Sequence, residues 1–269
     1  MQDYGKVSII MPTWNCAQYI GTTIKSVLNQ TYTNWEILIQ DDCSTDNTRE
    51  VIEQLRVAIR QAQEPILELR DKISYACNER KSGAAITRNN ALKRADGKWI
   101  AFLDSDDLWS SEKLALQVKF MEKNNYHFTY TNYTQIDKNG RENGILITGP
   151  KKITKLGMYL YCWPGCLTVM YDSTVIGLVQ INDIRKNNDY AIWLKVIKKT
   201  NCYLLQEDLA QYRIHKDSIS HHCYFSLIKW HYKLFHEAEN MNIFSSIIMT
   251  CINLLFGTLK RILYVKHAA

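Results

Sequence analysis

The sequence predicts an α/β fold, a mostly parallel central sheet with helices packed on both faces. Three observations carry that expectation. Short β-rich runs alternate with amphipathic helical runs through the first hundred residues, the pattern of repeated β-α units. The run Trp99-Ile100-Ala101-Phe102-Leu103 is almost wholly apolar, as a strand covered on both faces must be. Three apolar runs end in polar sequences: Pro12-Thr13-Trp14-Asn15, Asp41-Asp42 and Asp104-Ser105-Asp106-Asp107. Ligands of open α/β sheets bind beyond the carboxyl ends of the strands, so a site is expected there.

The elements follow in order. Residues 7–11 form a strand stopped by Pro12, and residues 17–30 a helix with Ile20, Ile24, Val27 and Leu28 on one face. Residues 35–39 are the second strand. Ser44-Thr45-Asp46 caps a helix that continues through Val51, Ile52 and Leu55. A third strand is expected near 73–76, a helix over 83–94 closed by Asp96-Gly97, and the fourth strand over 99–103. Beyond Asp107 the pattern predicts a helix over 112–123 and a strand over 128–136. An irregular stretch over 138–165, a strand over 166–171, a helix over 190–199 and a last strand over 209–214 complete the sheet. The organisation expected is one domain in two halves, residues 1–110 and 111–220, followed by a helical tail over 221–269.

In that tail Phe244, Ile247, Ile248, Cys251, Ile252, Leu255, Leu259, Ile262 and Leu263 recur at steps of three and four. Residues 241–259 carry no charge and approach the roughly twenty residues of a spanning helix. Their Asn, Ser and Thr content favours an amphipathic helix lying in the membrane plane, with Lys260, Arg261 and Lys266 meeting acidic headgroups. A helix packed on the protein's own core is the competing expectation.

Composition is that of a globular protein: 46% hydrophobic and 22% charged, with four prolines and eleven glycines among 269 residues, which excludes disorder, collagen and coiled coil. The net charge of +6 reads first as an ordinary solvated surface, and also suits a phosphorylated ligand or an anionic membrane; no nucleic-acid partner is expected. The eight cysteines show no CxxC pair and no zinc-ligand spacing, so they read as reduced thiols. The first residues run straight into a strand without a basic leader or cleavage site, and a cytoplasmic location is expected.

Chemistry concentrates at few residues. Asp104 and Asp106 lie two apart at a strand end, where alternation sends both carboxylates to one side; such hard oxygen donors suit Mg²⁺ or Mn²⁺ carrying phosphate. The same residues also fit a plain turn before a helix. Asp42 is placed to accept from a base or ribose, or to cap a turn, which Asp41 would do equally. Trp14 offers a face for stacking on a base, or a core side chain. Asp189, in Asn188-Asp189-Tyr190 at a helix start, is placed for a general base, or for an ordinary first-turn carboxylate.

The ordered set of motifs resembles the family-2 glycosyltransferases of GT-A fold over nearly all of residues 6–220. The carriers are Val7–Asn15, Asp41-Asp42-Cys43-Ser44-Thr45-Asp46, Lys81-Ser82-Gly83-Ala84-Ala85 with Arg88-Asn89, Asp96-Gly97, Phe102–Asp107, Asn188-Asp189-Tyr190 and Tyr212-Arg213-Ile214-His215. Residues 150–154 and 166–172 look closest to enzymes of teichuronic acid, capsule and O-antigen biosynthesis. The resemblance implies that residues 1–110 are the nucleotide-sugar-binding half and 111–220 the acceptor-binding and catalytic half, and that Pro12, Trp14, Asp42, Arg88, Asp104 and Ser105 bind the nucleotide sugar. It implies Asp106, with Asp104, as metal ligand and Asp189 as the base of an inverting displacement. Arg213 and His215 would belong to a loop closing over the diphosphate. The family usually has Tyr where Trp14 stands, and often an acidic residue where Asn188 stands, so hydrogen bonding replaces charge there. The implied partners are a UDP-sugar, a lipid-diphosphate-linked glycan acceptor and a divalent metal, Mn²⁺ or Mg²⁺. The implied place is the cytoplasmic face of the inner membrane, touched peripherally through residues 241–269.

Two other readings bear on the same residues. A sugar nucleotidyltransferase would want a glycine- and lysine-rich phosphate loop after the first strand, and residues 11–19 contain neither. A non-catalytic, membrane-docked subunit of a polysaccharide assembly complex would not need Asp42, Asp104, Asp106 and Asp189 together.

Overall fold

The computed structural model describes residues 2–61, 71–215 and 224–267. Its first half is a parallel sheet. Strand β1 (Val7–Thr13) lies between β2 (Trp35–Asp41) and β4 (Trp99–Phe102), with β3 (Ile73–Cys77) outside β2. Helices α1 (Ile20–Leu28), α2 (Thr48–Gln61) and α3 (Gly83–Leu92) make the crossovers that parallel pairing requires. Side-chain alternation divides the core in two. Val7, Ile9, Met11, Ile37, Ile39, Ala101 and Leu103 join the α1 face and helix α4 (Lys113–Asn124), whereas Ile10, Leu38, Ile100 and Phe102 join the α3 face. Gly97 admits this geometry: a Cβ there would lie 2.7 Å from the Ser8 nitrogen, so no other residue lets the chain enter β4 beside β1.

Beyond β4 the sheet continues with reversed polarity. β5 (Leu108–Trp109) pairs antiparallel with the long β10 (Cys202–Arg213), which runs parallel to β6 (Phe128–Ile136). β9 (Met170–Asp172) lies antiparallel between β4 and β6, so one sheet spans both halves of the sequence.

Several expectations need correction. Residues 138–165 are ordered: β7 (Glu142–Ile147) pairs antiparallel with β6, then come β8 (Lys152–Ile153) and α5 (Lys155–Leu160). The Asp137 carboxylate accepts from Asn139 and Arg141 backbone N–H groups at 2.8 and 2.9 Å and so forms the hairpin turn. β7 escapes a periodicity argument because its first residues are polar and exposed. Residues 166–171 are not one strand: Cys166–Thr168 is a 3₁₀ turn, and pairing begins at Met170. β10 starts at Cys202 rather than 209, its polar middle being broken by two register shifts. α6 (Ser173–Ile176) and α7 (Asn188–Val196) precede it. The seven described cysteines form no disulfide; Cys223 and the boundary at 220/221 lie outside the described residues.

The C-terminal segment holds the largest correction. α8 (Tyr224–Lys233) leads to α9 (Ile243–Leu263), and β11 (Val265–His267) then pairs with β7, so the last strand of the sheet is not the one expected at 209–214. α9 packs with its polar stripe inward: Ser246, Thr250 and Asn253 are buried. Its most exposed residues are apolar, with Phe244 74%, Leu255 60% and Ile262 70% exposed, while Met249 and Phe256 pack against the core. Lys260 is not directed to solvent; its ammonium donates to the Trp163 carbonyl at 2.8 Å. α9 is long and apolar enough to cross a membrane. Both its ends are nonetheless tied to the same domain, through Met241 N–H to the Phe235 carbonyl and through β11 to β7, so it lies along the protein.

Candidate active site

At the end of β1, Asn15 adopts a left-handed conformation (φ 47°), and its side-chain oxygen accepts from Thr45 N–H at 2.8 Å, clipping the β1 and β2 loops together. Asp41 fills the capping role, accepting from the Ser44 backbone and hydroxyl at 2.8 and 2.7 Å and from the Tyr75 hydroxyl at 2.9 Å. Asp42 is therefore not needed at that turn. It caps α3 instead, taking the Ser82 and Gly83 N–H groups at 2.6 and 2.8 Å and the Asn78 amide at 2.9 Å. A carboxylate has about four acceptor sites, so roughly one is left to face the loops. Trp14 is 49% exposed rather than buried, and the Lys81 ammonium lies 3.4 Å from its ring centroid. Lys81 precedes Ser82, so one short segment touches both the Trp14 face and the Asp42 carboxylate. Pro12 is partly buried beside them in β1, opposite Gln40.

β4 ends at Phe102, so Asp104–Asp107 is a turn and strand alternation does not orient its carboxylates. Tertiary contacts do. The Ser105 carbonyl is pinned by the Thr23 hydroxyl at 3.0 Å and the Cys16 thiol at 3.2 Å. Asp107 is buried, which pushes its carboxyl pKa well up, and it accepts the Arg213 N–H at 2.9 Å. Asp106 meets His215 Nε2 at 2.8 Å; burial and then the neighbouring Asp104 charge raise its pKa, and His215 opposes them. Asp104 pairs with the guanidinium of Arg88.

Arg213 is only 4% exposed, and backbone carbonyls of two loops hold its guanidinium. Its Nε donates to the Asp106 carbonyl at 2.7 Å, its Nη1 to the Asp137 carbonyl at 3.2 Å, and its plane lies 4.9 Å from the Tyr19 ring. His215 packs on the same ring at 5.3 Å.

Arg88 is the centre of the arrangement. From the buried face of α3 it reaches Asp104 with Nη2 and the side-chain oxygen of Asn188 with Nη1. Asn188 thus takes the hydrogen-bonding part expected of it. Asp189 follows it in the first turn of α7; burial raises its pKa, the Arg88 charge pulling the other way. A raised carboxylate pKa makes the stronger base. Burial opposes the charge of Arg88 as well, but Asp104 and Asp189 outweigh it.

Among the described residues no three His, Cys, Asp or Glu side chains converge to hold a metal unaided. The donor set still fits a hard cation. Asp104 turns one carboxylate oxygen to Arg88 and Asp106 one to His215, and Mg²⁺-like ions are commonly held by one or two carboxylates plus substrate phosphates.

The family model described as glycosyl transferase family 2 matches residues 8–169, which hold the Trp14, Asp42, Arg88 and Asp104–Asp106 constellation. The chain belongs to glycosyl transferase family 2. Among curated relatives of this glycosyltransferase, WfgD of Escherichia coli is 41% identical over 82% of this chain and 81% of its own length. Its name describes a UDP-Glc:alpha-D-GlcNAc-diphosphoundecaprenol beta-1,3-glucosyltransferase. TuaG of Bacillus subtilis, named for teichuronic acid biosynthesis, is 39% identical over 80% of this chain and 81% of its own. Staphylococcus aureus TarS bound to UDP-GlcNAc superposes with TM-score 0.65 at 19% identity, over 93% of this chain and 71% of that one. The Pyrobaculum calidifontis mannosyltransferase PcManGT with GDP-Man and Mn²⁺ gives TM-score 0.65 at 14% identity, over 96% and 76%. These likenesses show the GT-A fold, with its apolar C-terminal helix as an addition to the sheet. Lys81 and Asp107 stood in the sequence only as members of their motifs, with no role attached, and Tyr19 carried no local signal, since its contacts with Arg213 and His215 are tertiary.

Proposed function

We propose that this family-2 glycosyltransferase is an inverting hexosyltransferase. It moves a sugar, glucose as in the Escherichia coli relatives, from UDP to a hydroxyl of a lipid-diphosphate-linked glycan in surface-polysaccharide assembly. The observation that carries this reading is the bridge made by Arg88, which ties the donor-side Asp104 to the segment bearing Asp189. One cation thereby holds the two ends of an in-line displacement in register. Asp189 takes the acceptor proton as that oxygen bonds to the anomeric carbon, the carbon–phosphate oxygen bond breaks, and UDP leaves. Trp14, Pro12 and Asp42 hold the uracil, and Ser105 fixes the turn that carries Asp104 beside the ribose. Asp106, with Asp104, would hold Mn²⁺ or Mg²⁺, which supplies charge neutralisation on the departing diphosphate. Arg213 and His215 hold the Asp106 side of that turn.

The outward apolar face of α9, with Arg261 and Lys266 exposed at its end, supports peripheral contact with the cytoplasmic face of the membrane where a lipid-linked acceptor resides. Incubation of purified protein with a panel of UDP-sugars, Mn²⁺ and a GlcNAc-diphosphate-lipid acceptor tests the reading. Metal-dependent transfer forming a β-linkage supports it; absence of UDP binding with and without metal refutes it.

A further inference from the structure

α9 is anchored to the segment that flanks the base as well as to the sheet. Its Asn253 amide donates to the Tyr159 carbonyl at 2.8 Å. The same carbonyl accepts at 3.3 Å from the hydroxyl of Tyr190, the residue after Asp189. Gly257 sits against the Tyr161 ring, where a Cβ would come within 3.1 Å, and the Trp163 ring meets Phe256 and Tyr264 of the tail at 6.2 and 5.5 Å. The C-terminal helix and the base helix therefore clamp one short segment between them.

Lys260 stands at the end of this clamp. Its ammonium has three donors. One goes to the Trp163 carbonyl at 2.8 Å, and the Tyr161 ring lies 5.5 Å away. No carboxylate pairs with it among the described residues. Burial pushes its pKa down, with Cys162 and Asp189 opposing that push. Keeping a cation in partial burial without a counter-ion is costly, and an anionic ligand would offset the cost. Arg88, the cation whose charge acts on Asp189, is already engaged by Asp104 and Asn188.

We propose that Lys260 binds the diphosphate of a lipid-linked acceptor, which makes α9 a wall of the acceptor site. The inference rests on the acceptor class proposed above. A sugar–diphosphate–lipid chain with its hydroxyl at Asp189 and its tail along the exposed apolar face of α9 has its diphosphate between the two. Lys260 is the cation placed there. Its neighbour Arg261 is exposed.

The test compares wild type, K260M and K260R on two soluble acceptors, an alkyl GlcNAc-diphosphate and the alkyl glycoside of the same sugar without phosphate. Affinity for each is measured by calorimetry and transfer by kcat/KM, with UDP binding as the control for folding. Wild type should prefer the diphosphate compound, and K260M should reduce that preference by about 10–100-fold, the value of one charge-assisted hydrogen bond. K260R should retain most of it. An undiminished preference in K260M overturns the inference. Co-sedimentation with phosphatidylglycerol vesicles separates the two sources of phosphate. Loss of vesicle binding in K260M with the acceptor preference intact would assign Lys260 to lipid headgroups and likewise overturn it. The calorimetric arm needs no turnover, so a wild type that binds the diphosphate compound through Lys260 but transfers no sugar contradicts the proposed function alone.

Discussion

Replacing Arg88 by methionine probes the bridge between Asp104 and the segment that carries Asp189, the proposed base. The substitution keeps the stem volume and removes the guanidinium. Asn188 is 7% exposed, so its side-chain oxygen would be left buried without a donor, at about 1–3 kcal/mol. The Asp104 side chain is 32% exposed and recovers water, so loss of its ion pair adds only about 1 kcal/mol. The Arg88 Nε has no partner in the native arrangement, and its removal gives a little back. The expected net is about 2–4 kcal/mol of destabilisation, a fall in Tm of roughly 5–15 °C. Activity should suffer more than stability, because Asp104 and the α7 start lose their common reference and misplacement of this kind costs about 100-fold. R88K keeps the charge, but a single ammonium does not reproduce the fork that spans both partners, so it should recover stability better than kcat. Urea unfolding with single-turnover kinetics reads both quantities. An R88M protein within 0.5 kcal/mol and threefold of wild type (margins set by the roughly ±0.5 kcal/mol of an inert surface substitution) would refute the bridge.

Other substitutions test other parts of the same account. D189N should lower kcat by about 100- to 10,000-fold while UDP binding persists. Because burial raises the Asp189 pKa, the folded state binds the proton more tightly than the unfolded one. Ionised Asp189 therefore destabilises the fold above its unfolded pKa, and D189N should melt higher than wild type at neutral pH; a lower Tm would contradict this. Lys113 is fully buried, donates to Gln117 at 2.8 Å, and burial pushes its pKa down to about 7. Between that value and 10.5 the unfolded chain holds the proton and the folded one does not, so wild-type stability should rise with pH across this window. The rise should be missing in K113M, as followed by Tm from pH 6 to 10. On α9, I247K with L255K places two charges on positions 50% and 60% exposed, so folding should persist while the protein moves from membrane to soluble fractions. Unchanged fractionation would refute the outward face as the membrane surface. Deleting residues 241–269 is a poorer test, since it also removes β11 and the Asn253 contact.

The first half of the fold was legible because its code is local. Buried parallel strands such as residues 35–39 and 99–102 read as largely apolar runs, and the first is followed by a helix with one apolar face. The second half was less so. β7 begins with polar, exposed residues and β10 is broken by register shifts, and neither shows a two-residue period. Among site residues, Asp41 and Asp42 were equivalent candidates for the turn, and only the arrival of Ser82 and Gly83 assigns them different partners.

By itself the sequence determined the sheet class, the three loaded strand ends and the helix start that carries Asp189, since each depends on residues within one element. Tertiary structure alone decided how they are joined. Arg88 lies a hundred residues from Asn188, and no periodicity reports that the two meet. It also decided which side of α9 faces the protein. Hydrophobic pattern counts an apolar face and a polar face but does not say which is inward, and here Asn253 finds the Tyr159 carbonyl while Phe244 is left outside.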